Sequence, residues 1–89
     1  MKNITRQAVQ DALAFSTALQ PKVQPIVSFA DDGELNLCWK SKEPDLMADV
    51  GFYGNGTYSY YARSAGKVEL MRDDVPASEV SEDLISLLR

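Results

Sequence analysis

The sequence contains no histidine and a single cysteine, Cys38, among its 89 residues. Without histidine the chain cannot build a Ser-His-Asp or Cys-His nucleophile, and one cysteine cannot complete a Cys/His zinc site. A lone cysteine also excludes a disulfide bond within the chain. Because no other cluster of catalytic side chains stands out, we expect a non-enzymatic protein that uses no cofactor and no metal ion.

Basic residues and long apolar runs are also scarce. Nine Lys and Arg against thirteen Asp and Glu give a net charge of −4, which argues against nucleic acid as the main partner, because phosphate binding relies on basic side chains. No segment approaches the ~18–20 apolar residues of a membrane span. The polar start, Met1 to Gln7, lacks the apolar core of a secretory signal. These absences predict a cytoplasmic protein that does not enter membranes.

The length fits one domain covering residues 1–89, and both ends of it carry helical patterns. Apolar residues recur at three- and four-residue steps from Thr5 to Gln20, which predicts a helix that Pro21 ends. Near the C-terminus, Ser78 or Ser81 can cap a short helix whose first turn is acidic.

Between the helices, apolar and polar residues alternate with a period of two, which is typical of half-buried strands. Turn-forming segments interrupt this alternation at Asp31–Gly33, Ser41–Asp45, Gly54–Gly56 and Ser64–Gly66. We therefore predict an α+β fold with an N-terminal helix, a five-stranded antiparallel meander and a short C-terminal helix. The fifth strand is expected to end near Met71, with Asp73 and Asp74 in a loop.

The turns also predict the register of the strands, because a slip of one residue would move every side chain to the other face. The expected pairs are Phe52–Tyr58, Val50–Tyr60, Ala48–Ala62, Phe29–Leu35, Val27–Leu37, Trp39–Leu46, Ala62–Val68 and Tyr60–Leu70. Both helices should then cover one apolar face. That face carries Val27, Phe29, Leu35, Leu37, Trp39, Leu46, Val50, Phe52, Tyr58, Tyr60, Val68 and Leu70.

The opposite face of the predicted sheet is the candidate functional surface. Its residues include tyrosines, methionines and an arginine, which are enriched in protein interfaces, although they also favour strands in their own right. The candidate partner-binding residues are Met47, Asp49, Tyr53, Tyr61, Arg63, Glu69 and Met71. The sequence leaves open whether this face binds a partner, a second copy of the chain, or only water.

Two segments resemble a class of small uncharacterised bacterial proteins in which a helix precedes an antiparallel sheet. The first runs from Pro25 to Trp39 and includes Asp32-Gly33-Glu34-Leu35; the second runs from Val50 to Tyr61. The resemblance covers about two-thirds of the chain and rests on hairpin and core residues. It implies an interaction protein of bacterial, phage or mobile-element origin, and it carries over no catalytic or binding residue.

Three functional hypotheses follow. The first is a protein-binding module, such as an inhibitor, antitoxin or adaptor, that uses the uncovered sheet face or a sheet edge. The second is a homodimeric structural or regulatory protein that uses the same face. The third is a binder of single-stranded nucleic acid through Tyr61, or a mimic of DNA whose carboxylates imitate phosphates.

Overall fold

The structure, a computed structural model, describes residues 3–30, 33–42, 45–64 and 69–88. An N-terminal helix, α1 (Asn3–Leu19), precedes the sheet, and a short helix, α2 (Glu82–Leu88), follows it. The strands are β1 (Ile26–Phe29), β2 (Leu35–Lys42), β3 (Asp45–Phe52), β4 (Thr57–Ser64) and β5 (Leu70–Pro76). These five antiparallel strands lie side by side in chain order, which confirms the predicted α+β fold and its meander.

Both helices pack on one face of the sheet. The buried stripe of α1 consists of Ala8, Ala12, Phe15 and Leu19, spaced as predicted for an amphipathic helix. The Phe15 ring meets the rings of Phe52 and Tyr58 edge-on, with centroids 5.3 and 4.8 Å away. Within the described residues, neither helix is long and apolar enough to cross a membrane.

The segment between α1 and β1 is fastened to the rest of the core. The Trp39 indole Nε1–H donates to the Val23 carbonyl at 2.8 Å, and the Lys22 backbone N–H donates to the Leu88 carbonyl at 3.0 Å. The first bond ties this segment to β2 and the second ties it to the end of α2. The chain entering β1 is therefore held in place before the strand begins.

Two of the four hairpins have the predicted register, and two are shifted. Phe29 faces Leu35 and Phe52 faces Tyr58, as expected. Trp39, however, faces Ala48 instead of Leu46, and Ala62 faces Leu70 instead of Val68, which lies outside the described residues. Both predictions are wrong by two residues. A shift of two keeps every side chain on its predicted face, so the alternating pattern could not reveal it.

The fifth strand is longer than predicted and contains an irregularity. Tyr60 faces Arg72 and Tyr58 faces Val75, so β5 carries one extra residue between these two pairs. Asp74 lies within this bulge and has a φ of 56°. The prediction that Asp73 and Asp74 lie in a loop is therefore wrong. The bulge turns Val75 onto the helix-covered face, where it is buried.

The helices cover a narrower part of the sheet than the sequence predicts. Val27 and Phe29 were expected in the core, but their side chains are 54% and 56% exposed. The register places both on the helix side of the sheet, opposite Leu37 and Leu35. They are exposed because α1 packs chiefly over β2 and β3 and leaves the β1 margin uncovered.

Asp11 is buried although its side chain is ionisable. Its Oδ1 accepts a hydrogen bond from Gln7 Nε2 at 2.8 Å, and its Oδ2 accepts one from the Gly56 backbone N–H at 3.2 Å. The second bond joins α1 to the β3–β4 turn. A buried carboxylate is tolerated here because hydrogen-bond donors meet both of its oxygens.

The Asp11→Ala substitution is expected to lower the free energy of unfolding by about 1–3 kcal/mol, because both donors lose a charged acceptor. Urea unfolding followed by the fluorescence of Trp39, the only tryptophan, measures the change. The control is Gln10→Ala, at an exposed position of the same helix, which should alter stability by less than about 0.5 kcal/mol. Equal effects of the two substitutions would show that Asp11 does not tie α1 to the turn.

Candidate functional site: the uncovered sheet face

We call the sheet surface opposite the helices the open face. Its side chains form rows across the strands, because directly paired residues point to the same side of a sheet. One row contains Lys40, Met47 and Arg63. The next row contains Ile26, Cys38, Asp49, Tyr61 and Met71.

A third row of small side chains forms the floor of a groove on this face. The floor consists of Asn36, Gly51 and Ser59. Ser28 continues this row on β1, outside the groove. The groove encloses about 370 Å³. Its lining residues include Glu34, Asn36, Asp49, Gly51, Tyr53, Ser59, Tyr61, Met71 and Asp73. Glu34, Asp49 and Asp73 are acidic and no described lining residue is basic, so the groove favours a cation or a hydrogen-bond donor.

Gly51 allows the Glu34 carboxylate to lie directly over the sheet. A Cβ atom at position 51 would stand only 2.5 Å from Glu34 Oε2 and 3.0 Å from Asn36 Oδ1. Any side chain at this position would therefore force the end of the Glu34 side chain to shift away from the strand. The glycine is needed here for close approach, as is common where a strand lacks a side chain.

Tyr53 forms one wall of the groove and interacts with its acidic end. A hydrogen bond from Ser59 lowers the pKa of the Tyr53 hydroxyl. Burial, the charge and hydrogen bonding of Glu34, and the charge of Asp73 together outweigh that effect, so the pKa of Tyr53 lies above its ordinary value. Tyr53 therefore stays protonated at neutral pH and donates to the Glu34 carboxylate.

Tyr61 is held by a second carboxylate. Its hydroxyl hydrogen-bonds to Glu69, which raises the pKa of Tyr61, and the Glu69 charge acts in the same direction while Arg63 opposes it. The aromatic ring of Tyr61 lies beside Met71, its cross-strand partner, whose side chain is 68% exposed. This part of the face combines an aromatic ring and a thioether with hydrogen-bonding groups.

Cys38 lies in the same row as Asp49 and is half-buried. Burial raises the pKa of the Cys38 thiol, and the Asp49 charge raises it further, whereas Lys40 lowers it. The thiol is therefore protonated at neutral pH, and it is a weak nucleophile because the thiolate is the reactive form.

The structure places all seven candidate partner-binding residues on or beside the open face. Asp49, Tyr53, Tyr61 and Met71 line the groove itself. The other three lie next to it: Met47 and Arg63 face each other in the neighbouring row, and Glu69 precedes β5. The sequence places these residues on one face but does not show which of them share a groove.

Two groove residues were missed as site candidates, Glu34 and Asp73. Glu34 directly follows the predicted turn at Asp31–Gly33, and Asp73 lies in the predicted loop after the fifth strand. Acidic residues are common at such positions for backbone reasons. Asp73 enters the groove only because β5 continues past Met71. For Glu34 the available signal was Gly51, a glycine in mid-strand, which suggests close approach by another group.

Within the described residues, no group of three or more His, Cys, Asp or Glu side chains is arranged to hold a metal ion. The groove carboxylates are therefore spread along the cleft. Such an arrangement suits one extended cationic group, for example a lysine or arginine side chain with its apolar stem.

No protein-family model matches this chain, and no curated protein or solved structure that was compared with it does so. The resemblance to small bacterial proteins accordingly stays a prediction.

Proposed function

We propose that this chain is a non-enzymatic protein-binding module, of the inhibitor, antitoxin or adaptor kind, that works in the cytoplasm. Its open face receives a partner protein that inserts a lysine or arginine side chain into the acidic groove. The observation that carries this proposal is the uncovered groove, which is lined by Glu34, Asp49 and Asp73 and by no basic residue among those described.

The surroundings of the groove favour a protein over a free small cation. Tyr61 and Met71 line the groove and offer apolar contact, and tyrosine and methionine are enriched where proteins meet. A basic side chain can pass its methylene stem along these groups while its charged end reaches the carboxylates.

The charge of the groove disfavours direct binding of nucleic acid at this face, because phosphates and carboxylates repel each other. A DNA-mimicking role is a special case of the present proposal, since a DNA-handling enzyme also presents lysine and arginine. Such a partner would be recognised through the same groove.

We expect Asp49→Lys to weaken binding of the partner at least about tenfold, which corresponds to about 1.4 kcal/mol. Asp49 lines the groove and is half-buried, so reversing its charge places a cation where the partner's cation must go. Asp45→Lys is the matched control, because it makes the same charge change at an exposed end of the same strand.

A defined probe replaces the unidentified partner in the first experiment. Amide shifts of the labelled protein are followed by NMR while N-acetyl-arginine amide or an arginine-containing tetrapeptide is added, with the glutamate equivalents as a comparison. The proposal expects shifts at Asn36, Gly51 and Ser59 that disappear in Asp49→Lys and persist in Asp45→Lys. Shifts scattered over the surface, or equal responses to arginine and glutamate peptides, would contradict it.

A further inference from the structure

The two edges of the sheet differ in how they are protected from other strands. The β5 edge carries the charged residues Arg72, Asp73 and Asp74, a bulge, and Pro76 at its end. Charges, bulges and prolines are the usual means by which proteins block edge-to-edge pairing. The β1 edge is Ile26-Val27-Ser28-Phe29, which has no charge, and all four of its side chains are exposed.

Exposed apolar side chains concentrate at this same edge. Six large hydrophobic residues of the described chain are more than half exposed, and five of them lie on β1, just before it, or on the neighbouring surface of α1. These five are Leu13, Val23, Ile26, Val27 and Phe29. Scattered apolar residues on a surface are ordinary, but a cluster at an unpaired edge indicates a contact surface.

The backbone of β1 shows which groups are free to pair. The Ala30 N–H donates to the Glu34 carbonyl at 2.8 Å, so Ala30 points its N–H toward β2. Hydrogen-bonding direction alternates along an antiparallel strand, so Ser28 and Ile26 also point inward. Val27 and Phe29 therefore direct their N–H and carbonyl groups away from the sheet, where β1 has no neighbouring strand in the described chain.

We infer that β1 pairs antiparallel with β1 of a second copy of this chain, with the two-fold axis at Ser28. Val27 of each copy then faces Phe29 of the other, and each such pair exchanges both of its hydrogen bonds. The two sheets join into one, with the helices of both copies on the same side. This contact is separate from the groove of the proposed function and does not depend on it.

The side chains at this edge suit a second copy. A groove between α1 and β1, of about 330 Å³, is lined by Leu13, Val27 and Phe29 among others, and none of the described residues that line it is charged. Two molecules that each carry a net charge of −4 can therefore bring these two grooves together without placing like charges of the described lining residues in contact. Pairing about the two-fold axis brings the two apolar grooves together. It thereby covers the β1 margin of each core, which α1 leaves exposed.

The α1 helices leave room for this arrangement. Because α1 packs chiefly over β2 and β3, each helix stands about two strand spacings, or ~10 Å, from the two-fold axis. The helices are then about 20 Å apart, which exceeds the ~8–10 Å of direct helix packing. Leu13, Val27 and Phe29 from both copies occupy the space between them.

The small size of the contact is typical of weak, transient interfaces. Each copy contributes only the four residues of β1 and the neighbouring surface of α1. The surface buried by the two copies is therefore expected to stay below about 1,200 Å² in total, which is small for a specific protein interface. We therefore expect a dissociation constant on the order of tens of micromolar, so that monomer predominates at about 1 µM and dimer at about 500 µM.

The first test measures mass by sedimentation velocity from about 1 µM to about 500 µM. The wild type should change from 9.8 kDa to twice that mass across this range. Val27→Lys should remain monomeric throughout, because it places two lysines at the joined edge. Met71→Lys, at an equally exposed apolar residue of the open face, should dimerise like the wild type.

Hydrogen exchange of the unmodified protein provides a test that needs no variant. The amides of Val27 and Phe29 should exchange more slowly at high concentration, while those of Ile26 and Ser28 should be protected at both concentrations by their bonds to β2. A wild type that is monomeric at the highest concentration would overturn the inference. It would also be overturned by a dimer that survives Val27→Lys, or by concentration-dependent protection located in β5 instead.

Discussion

Phe15→Ala is expected to lower the free energy of unfolding by about 3–5 kcal/mol. The Phe15 ring is fully buried and stands between α1 and the sheet, where it meets both Phe52 and Tyr58. Truncation removes the burial of the ring and leaves a cavity that the paired strands below cannot fill. The loss is a large share of the about 5–15 kcal/mol that stabilises a typical domain.

Urea unfolding followed by Trp39 fluorescence measures this loss, with Leu13→Ala as the control. Leu13 is an apolar residue on the same helix, but its side chain is 64% exposed. At about 1 µM, where we expect the protein to be monomeric, Leu13→Ala should lower the free energy of unfolding by less than about 1 kcal/mol. Similar losses at positions 13 and 15 would show that the described packing of α1 is wrong.

Tyr58→Phe is the second substitution expected to have a large effect, and it should lower the free energy of unfolding by about 1–3 kcal/mol. The Tyr58 hydroxyl accepts a hydrogen bond from the Ser81 N–H at 3.2 Å and donates one to the Glu79 carbonyl at 2.8 Å. These bonds fix the segment that leads from β5 into α2. Removing the hydroxyl leaves the Ser81 N–H buried without this acceptor, and phenylalanine preserves the ring packing.

The Tyr58 hydroxyl should also make the stability of the fold depend on pH in the alkaline range. Burial raises the pKa of Tyr58 above its ordinary value, while the hydrogen bond from the Ser81 backbone partly opposes that shift. The folded chain then holds this proton at pH values where the unfolded chain has lost it. Stability from this group is complete below about pH 10 and falls as pH rises toward the folded pKa.

Unfolding by guanidinium chloride, measured from about pH 8 to about pH 11, tests the expected cost of Tyr58→Phe and the expected loss of stability at alkaline pH. Wild type should lose stability above about pH 10, and Tyr58→Phe should show a shallower loss over the same range. Tyr61→Phe is the matched control on the open face, with an expected change below about 0.5 kcal/mol at neutral pH. An identical alkaline slope in wild type and Tyr58→Phe would assign the effect to other tyrosines.

Local chemistry allowed much of the fold to be predicted. The turns at residues 31–33 and 54–56 give correct registers because their glycines take the positive φ that such hairpins need, 91° at Gly33 and 83° and 85° at Gly54 and Gly56. The face on which a strand residue lies also follows from alternation alone. For this reason all seven candidate site residues lie on or beside the open face.

The register beyond longer turns was not predictable in the same way. Pairing Trp39 with Ala48 or with Leu46 places the same residues in the core, so hydrophobic pattern does not distinguish the two. The structure extends both strands instead, which sets Lys42 opposite Asp45. Attraction between these oppositely charged cross-strand neighbours favours the observed register by a modest amount.

Sequence by itself determined the order of the elements, the two glycine-based hairpins and the side of the sheet on which residues of the predicted strands lie, because these depend on neighbours within a few positions. Tertiary structure alone decided which residues are covered and which share a groove. The bulge in β5 buries Val75 and places Asp73 in the groove that Asp49 also lines. The placement of α1 leaves Val27 and Phe29 exposed. Both features depend on contacts between distant segments. Both candidate surfaces, the acidic groove and the β1 edge, arise from these long-range contacts.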